Sequence, residues 1–237
     1  TINLKTKNNM KKILSTLVAV FLSVNFAGFL DQKANAYIAD GANAINGLGQ
    51  LTSLGAVTYT KSFENNGPVS NGFYSPQAVS IDPTGHRLFV ADASNNRILV
   101  FNLNSSNVLV DYTADYVLGQ PDFNSGTIFY PPNQYSVYDP LDLAFDDAGD
   151  RLFVVSRYDN RVLIFDVATI VNGENAVSVL GQTSFTESSP GTTQSSLSGP
   201  AGLEYDSVNN LLYVSDSSNN RVMIFDVAAI TNGENAV

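Results

Sequence analysis

At 237 residues, with 44% hydrophobic and only 14% charged side chains, the chain has ample material for a core and little for solvent-facing helices. Its formal charge is −10, and the acidic excess grows beyond residue 36 because five Lys and one Asp precede that point. Such a body repels a phosphate backbone, which argues against nucleic acid as a partner, and the absence of cysteine excludes a disulfide framework and a thiolate metal site.

In chain order, the first element is an export signal. Met10-Lys11-Lys12 is a short basic start, Ile13–Leu22 is an apolar run, and Ala34-Asn35-Ala36 is a small-x-small cleavage pattern. Residues 1–36 therefore read as upstream residues plus a signal peptide, cleaved before Tyr37, with a periplasmic, cell-surface or secreted destination. The alternative is an uncleaved anchor, because apolar character persists to Leu30, but Asn25 and Gly28 interrupt it. After cleavage no stable membrane insertion is expected.

An internal repeat governs the remainder. Aligning Pro76, Pro140 and Pro200 superimposes the following 27 positions without a gap, at spacings of 64 and 60 residues. Asp82, Asp146 and Asp206 coincide, as do Asn96, Asn160 and Asn220, then Arg97, Arg161 and Arg221, then Phe101, Phe165 and Phe225. A second marker, Leu-Gly-Gln, recurs at 48–50, 118–120 and 180–182. Asn232–Val237 copies Asn172–Val177, which leads into that marker, so the chain reads as stopping in mid-repeat.

Each unit reads as four short strands. In the first, Gln77–Asp82 alternates with period two, Asp82-Pro83-Thr84-Gly85 is a turn, and Arg87–Asp92 and Arg97–Leu103 are β-branched and aromatic runs. Fourth strands are expected at Tyr116–Gln120 and Val177–Gln182, and 167–175 reads as one helical turn followed by a Gly turn. Tandem four-stranded units describe an all-β fold of the β-propeller kind, with blades at 76–120, 140–182 and 200–237. A parallel β-helix has much shorter rungs, and a β-sandwich would not repeat so faithfully.

The pattern P-x-x-[VL]-x-x-D, then L-[FY]-V-[AVS]-[DS], then N-R-[IV]-[LM]-[VI]-F-[ND] stands at 76–102, 140–166 and 200–226. It resembles the NHL repeat family, and each Leu-Gly-Gln matches the family's fourth-strand glycine. The resemblance covers most of 76–237 and implies a propeller, usually of six blades. These units, near 60 residues, are longer than the family's, and the excess lies in connections such as Pro121–Asp139. Six such units would need about 370 residues, so Tyr37–Val237 holds about half a ring of three blades. Residues 37–75, with Leu48-Gly49-Gln50, then read as a ring-closing strand and the loop that follows it.

Candidate chemistry is sparse. The loops holding Asp92, Asn96 and Arg97, then Asn160 and Arg161, then Asp216, Asn220 and Arg221 offer one or two carboxylates each. Calcium takes six to eight oxygens, so these residues read as repeat architecture, Arg pairing with Asp. Ser156 replaces the Asp in the middle unit. His86 is the only histidine, which leaves no Ser-His-Asp set and no multi-histidine zinc site. No cofactor and no metal is expected. Asp142 and Glu204, on inner strands, form one possible cation-binding pair, or two ordinary strand-end acids.

Loops of the strand 2–3 type and the blade-to-blade connections emerge on one face, because the chain reverses at every strand. That face carries Phe129, Tyr130, Tyr135 and Tyr138 from 121–139, with Arg157 beside them. These five residues are the candidate ligand site, suited to a glycan or a protein side chain, unless the rings fold back over the blade edge. The function this implies is an exported binding scaffold for protein or glycan. The alternative implied by the resemblance is a propeller lyase or lactonase whose catalytic residues lie largely outside this sequence.

Overall fold

The computed structural model of the protein describes residues 47–50 and 68–237. The export signal expected over 1–36, and most of the ring-closing segment expected over 37–75, lie outside the described residues. Among the described residues no helix is long and apolar enough to cross a membrane.

Three antiparallel sheets follow one another along the chain. The first contains β1 (Pro76–Asp82), β2 (Arg87–Asp92), β3 (Arg97–Asn102) and β4 (Tyr116–Leu118), paired in that order. The second repeats the order with β5 (Leu143–Asp146), β6 (Arg151–Ser156), β7 (Arg161–Asp166) and β8 (Ser178–Leu180). The third has β9 (Pro200–Asp206), β10 (Leu211–Asp216) and β11 (Arg221–Asp226). First strands of successive sheets contact each other, β1 with β5 and β5 with β9. The arrangement is all-β and consistent with part of a β-propeller.

Period-two geometry explains why β6 and β7 are apolar throughout. In a strand, successive side chains point to opposite faces, and the middle sheet is covered on both. Leu152, Val154, Leu163 and Phe165 enter a core shared with Phe89, Ile98 and Val100 of the first sheet. Their alternates Phe153, Val155, Val162 and Ile164 enter a core shared with Leu212, Val214 and Phe225 of the third. These middle-sheet residues are all 0% exposed, and full burial of each such side chain contributes about 1.5–3 kcal/mol.

β1 alternates in the sense opposite to its hydropathy. Ala78 and Ser80 are half-buried while Val79 and Ile81 are exposed, at 68% and 46%. Ala78 packs into the core shared with the second sheet, so the apolar pair lies on the other face.

Polar latches join the sheets at both ends of the strands. Asp82 accepts from the backbone N–H of Gly85 at 2.6 Å and from Arg87 Nε at 2.7 Å, and Arg87 donates onward to the carbonyl of Val167, just after β7. Arg151, likewise paired with Asp146, donates to the Val227 carbonyl at 2.6 Å. The third unit has Leu211 at this place and so lacks the arginine. Asn172 Oδ1 accepts from Val117 N–H of β4, and Asn232 Oδ1 from Val179 N–H of β8, both at 3.0 Å. Each short outer strand thus has part of its free edge satisfied by the next unit. The segment 167–175 that makes the first of these latches is not helical. It is a bend followed by a turn at Asn172-Gly173, because Asn172 is held against β4 and Gly173 sits at φ +71°, outside the right-handed helical region.

Candidate functional site

The recurring Asp-x-x-Asn-Asn-Arg loops sit between the second and third strands. In the first sheet, Ala93–Asn95 makes one 3₁₀ turn and Asn96 closes it in the left-handed region at φ +53°. Asp92 Oδ1 accepts from Tyr74 N–H at 2.6 Å, and Oδ2 accepts from Asn95 at 2.8 Å and from Arg97 Nε at 2.8 Å. Arg97, fully buried, carries its other nitrogens to the carbonyls of Val69, Gly72 and Phe123. Burial holds its guanidinium pKa below the ordinary value, and the Asp92 carboxylate opposes that shift. The third sheet repeats the geometry, with Asp216 accepting from Ser198 N–H, Asn219 and Arg221 and with Asn220 closing the turn at φ +52°.

The middle sheet keeps the arginine and moves the carboxylate. Ser156 Oγ takes the Tyr138 N–H at 2.8 Å, while Asp159, three positions later, accepts from Ser156 Oγ at 2.8 Å and from Arg161 at 3.3 Å. Asp159 stands where the other loops carry Asn95 and Asn219. The exchange is imperfect: Arg161 is fully buried and its Nε has no hydrogen-bond partner. Burial pushes the Asp159 carboxyl above its ordinary pKa, with Arg161 and Ser156 pulling it back. Moving the carboxylate to the position it holds in the other loops should supply the missing bond. The double variant Ser156→Asp/Asp159→Asn is expected to gain about 1 kcal/mol in urea unfolding. An unchanged or lowered midpoint would contradict this.

The remaining recurrent polar groups tie down the long connections. Gln120 donates to the carbonyls of Asn96 and Thr127, both at 2.9 Å, and Gln182 donates to those of Asn160 and Ser189, also at 2.9 Å. Asn96 Oδ1 accepts from Asp139 N–H at 3.0 Å, and Asn160 Oδ1 from Gly199 N–H at 2.8 Å. The loops that differ between units therefore rest on contacts that do not differ.

Among the aromatic candidates, Phe129 and Tyr135 form an edge-to-face pair at 5.4 Å and are half-buried. Tyr138 packs at 4.8 Å against Tyr158, whose ring carries the Arg157 guanidinium at 5.3 Å. Tyr130, beside the cis peptide to Pro131, is 91% exposed. Phe123 turns back toward the first sheet's core. The loop is thus divided between rings that pack on other groups and one that projects.

Two residues of this face escaped sequence reasoning. Tyr158 lies in the strand 2–3 loop, where the other units carry Ser94 and Ser218. Asp139 lies 3.7 Å from Arg157 and takes the place of Ser75 and Gly199. Comparing the three units position by position would have exposed both. On the inner strands, Asp142 of the pair with Glu204 has a structural role. Its carboxylate accepts from its neighbour Leu143 N–H at 2.9 Å and from Leu203 N–H of β9 at 2.7 Å, so it fastens one sheet to the next.

The family model of the NHL repeat matches residues 73–101 and 197–225. NHL repeat-containing protein 2 of Gallus gallus is 25% identical over 171 residues, 68% of this chain and 22% of its own length. Its Bos taurus counterpart is 26% identical over 175 residues, covering 69% of this chain and 22% of the relative. The chain therefore spans a minor part of these relatives. Hydrazine synthase of Kuenenia stuttgartiensis is similar at a TM-score of 0.46 and 11% identity, over 76% of this chain and 39% of that one. Two matched repeats, relatives that bear the repeat's name and a third unit of the same pattern in the sequence together show that the chain carries NHL repeats.

Proposed function

We propose that this chain is part of an exported, six-bladed propeller that serves as a binding scaffold for a protein or glycan ligand. Export rests on the Met10–Ala36 pattern, and the blade count on the family resemblance. The binding reading is carried by one observation. On a face where the recurrent Asp, Asn, Gln and Arg side chains are engaged internally, Tyr130 projects with 91% of its surface exposed. A large exposed ring presents aromatic contact area to a partner. An enzymatic role draws no support from the inner strands, where Asp142 is committed to Leu203.

Tyr130→Ala is expected to leave folding stability within about 0.5 kcal/mol, because it removes no buried contact. The same change should abolish capture of ligand on a glycan array or in a pull-down from envelope extract. Undiminished capture by the variant, measured beside wild type, would remove this face from the function.

A further inference from the structure

We infer that Asp139, Arg157 and Tyr158 form a subsite for a neutral sugar, with Tyr138 buttressing the ring of Tyr158. The inference rests on the binding role proposed for this face.

It starts from a difference between units that share one backbone. At the position of Asp139 the other units have Ser75 and Gly199, and all three residues hold the same left-handed backbone, at φ +55°, +57° and +55°. At the position of Arg157 they have Ala93 and Ser217, and at that of Tyr158 they have Ser94 and Ser218. The scaffold therefore builds this corner equally well from small residues. Only the middle unit places a carboxylate, a guanidinium and a phenol ring there together.

Those side chains make no hydrogen bonds within the fold and meet one another and Tyr138. Arg87, Arg97, Arg151, Arg161 and Arg221 each donate hydrogen bonds to carbonyls and carboxylates. Among the described arginines, Arg157 alone donates none. Its side chain is 44% exposed and 3.7 Å from the Asp139 carboxylate, which is charge-paired with it but accepts no hydrogen bond. Tyr158 is 54% exposed. A donor fork and an acceptor pair thus stand next to a ring with accessible surface.

That combination fits the chemistry of a pyranose. Vicinal hydroxyls donate and accept at once, so one can give its proton to Asp139 while its neighbour accepts from Arg157. The apolar C–H face of the sugar packs on the ring. An anionic sugar fits less well. The Arg157 charge is already balanced by Asp139, and the chain's formal charge is −10, so a uronate would meet repulsion rather than a free cation.

The test uses the whole chain and four variants. Asp139→Gly, Arg157→Ser and Tyr158→Ser install the residues that the third unit carries at the same places, which keeps the fold, and Tyr130→Ala probes the face. Binding is measured by calorimetry against tetrasaccharides of glucose, of galactose and of galacturonate. The expected result is binding of a neutral tetrasaccharide in preference to galacturonate, little affected by salt, and weakened about tenfold or more by each of the three substitutions. Preference for galacturonate would overturn the inference. So would neutral-sugar binding that survives all three substitutions but is lost in Tyr130→Ala, which would leave the face reading standing. A protein ligand captured through Tyr130 with no sugar bound would do the same. Failure of Tyr130→Ala to alter any binding would instead sink the face reading.

Discussion

Arg97→Ala is expected to destabilise the fold by about 3–5 kcal/mol, a large share of the 5–15 kcal/mol that holds a typical domain together. The guanidinium is fully buried and joins Asp92 to three backbone carbonyls from two connections that are distant in sequence. Its removal strands a buried carboxylate and leaves the carbonyls of Val69, Gly72 and Phe123 short of a donor. Arg221→Ala provides the internal control. It makes the matching bonds to Asp216 and to the carbonyls of Thr192, Thr193 and Ser196, but its side chain is 29% exposed, so water can replace part of what is lost. Urea unfolding followed by circular dichroism should rank Arg97→Ala well below Arg221→Ala. Equal midpoints would show that the buried pair contributes little. A double variant with Asp92→Ala should cost less than the two single changes added together, because each single change leaves the other partner buried and unpaired.

The second large effect lies in the Leu-Gly-Gln marker. Gly119 has φ +86°, and a Cβ there would stand 2.5 Å from Val137 Cγ2 and 3.3 Å from the Arg97 Cα. Gly119→Ala therefore combines a left-handed backbone with overpacking, at about 2–4 kcal/mol together. Adding Val137→Ala should recover the steric part only, since the backbone conformation remains unfavourable for any L side chain. Full recovery in the double variant would mean that the conformation carries no cost. No recovery would mean that Val137 is not the obstacle. Gly181 repeats the situation at φ +85° against Leu197, so Gly181→Ala should behave alike in the second sheet. At Gly49, φ +88°, the neighbour is Phe73, which precedes Pro76 by as many residues as Val137 and Leu197 precede Pro140 and Pro200. The marker is thus a packing device, in which the glycine admits a side chain from the chain entering the next unit.

Much of this architecture is legible in the sequence, and the reason is repetition. A residue type demanded by local physics in one unit is demanded again in the others. Asp82, Asp146 and Asp206 therefore recur at turns, Asn96, Asn160 and Asn220 recur where φ is positive, and apolar runs recur where a strand is buried on both faces. The segment 167–175 misled because its composition allows a helical turn, while its actual bend and turn are set by Asn172 meeting β4 of the preceding sheet. In β1 the alternation by itself says nothing about which face meets a neighbouring sheet, and Val79 and Ile81 are the exposed pair.

The candidate site divides along the same line. Composition identified an aromatic loop at 121–139, but it could not say that Phe129 and Tyr135 pair with each other while Tyr130 projects. Nor could it reveal that the carboxylate missing at Ser156 returns at Asp159, or that Asp142 reaches across to Leu203. Local chemistry and periodicity act within a few residues, and these determined the strands, the turns and the repeat. The loops were decided by contacts between groups 18 to 61 residues apart, such as Tyr138 with Ser156 and Asp142 with Leu203. Only the packed sheets bring those groups within hydrogen-bonding distance, so only the tertiary structure could separate the residues that hold the face together from those that it presents.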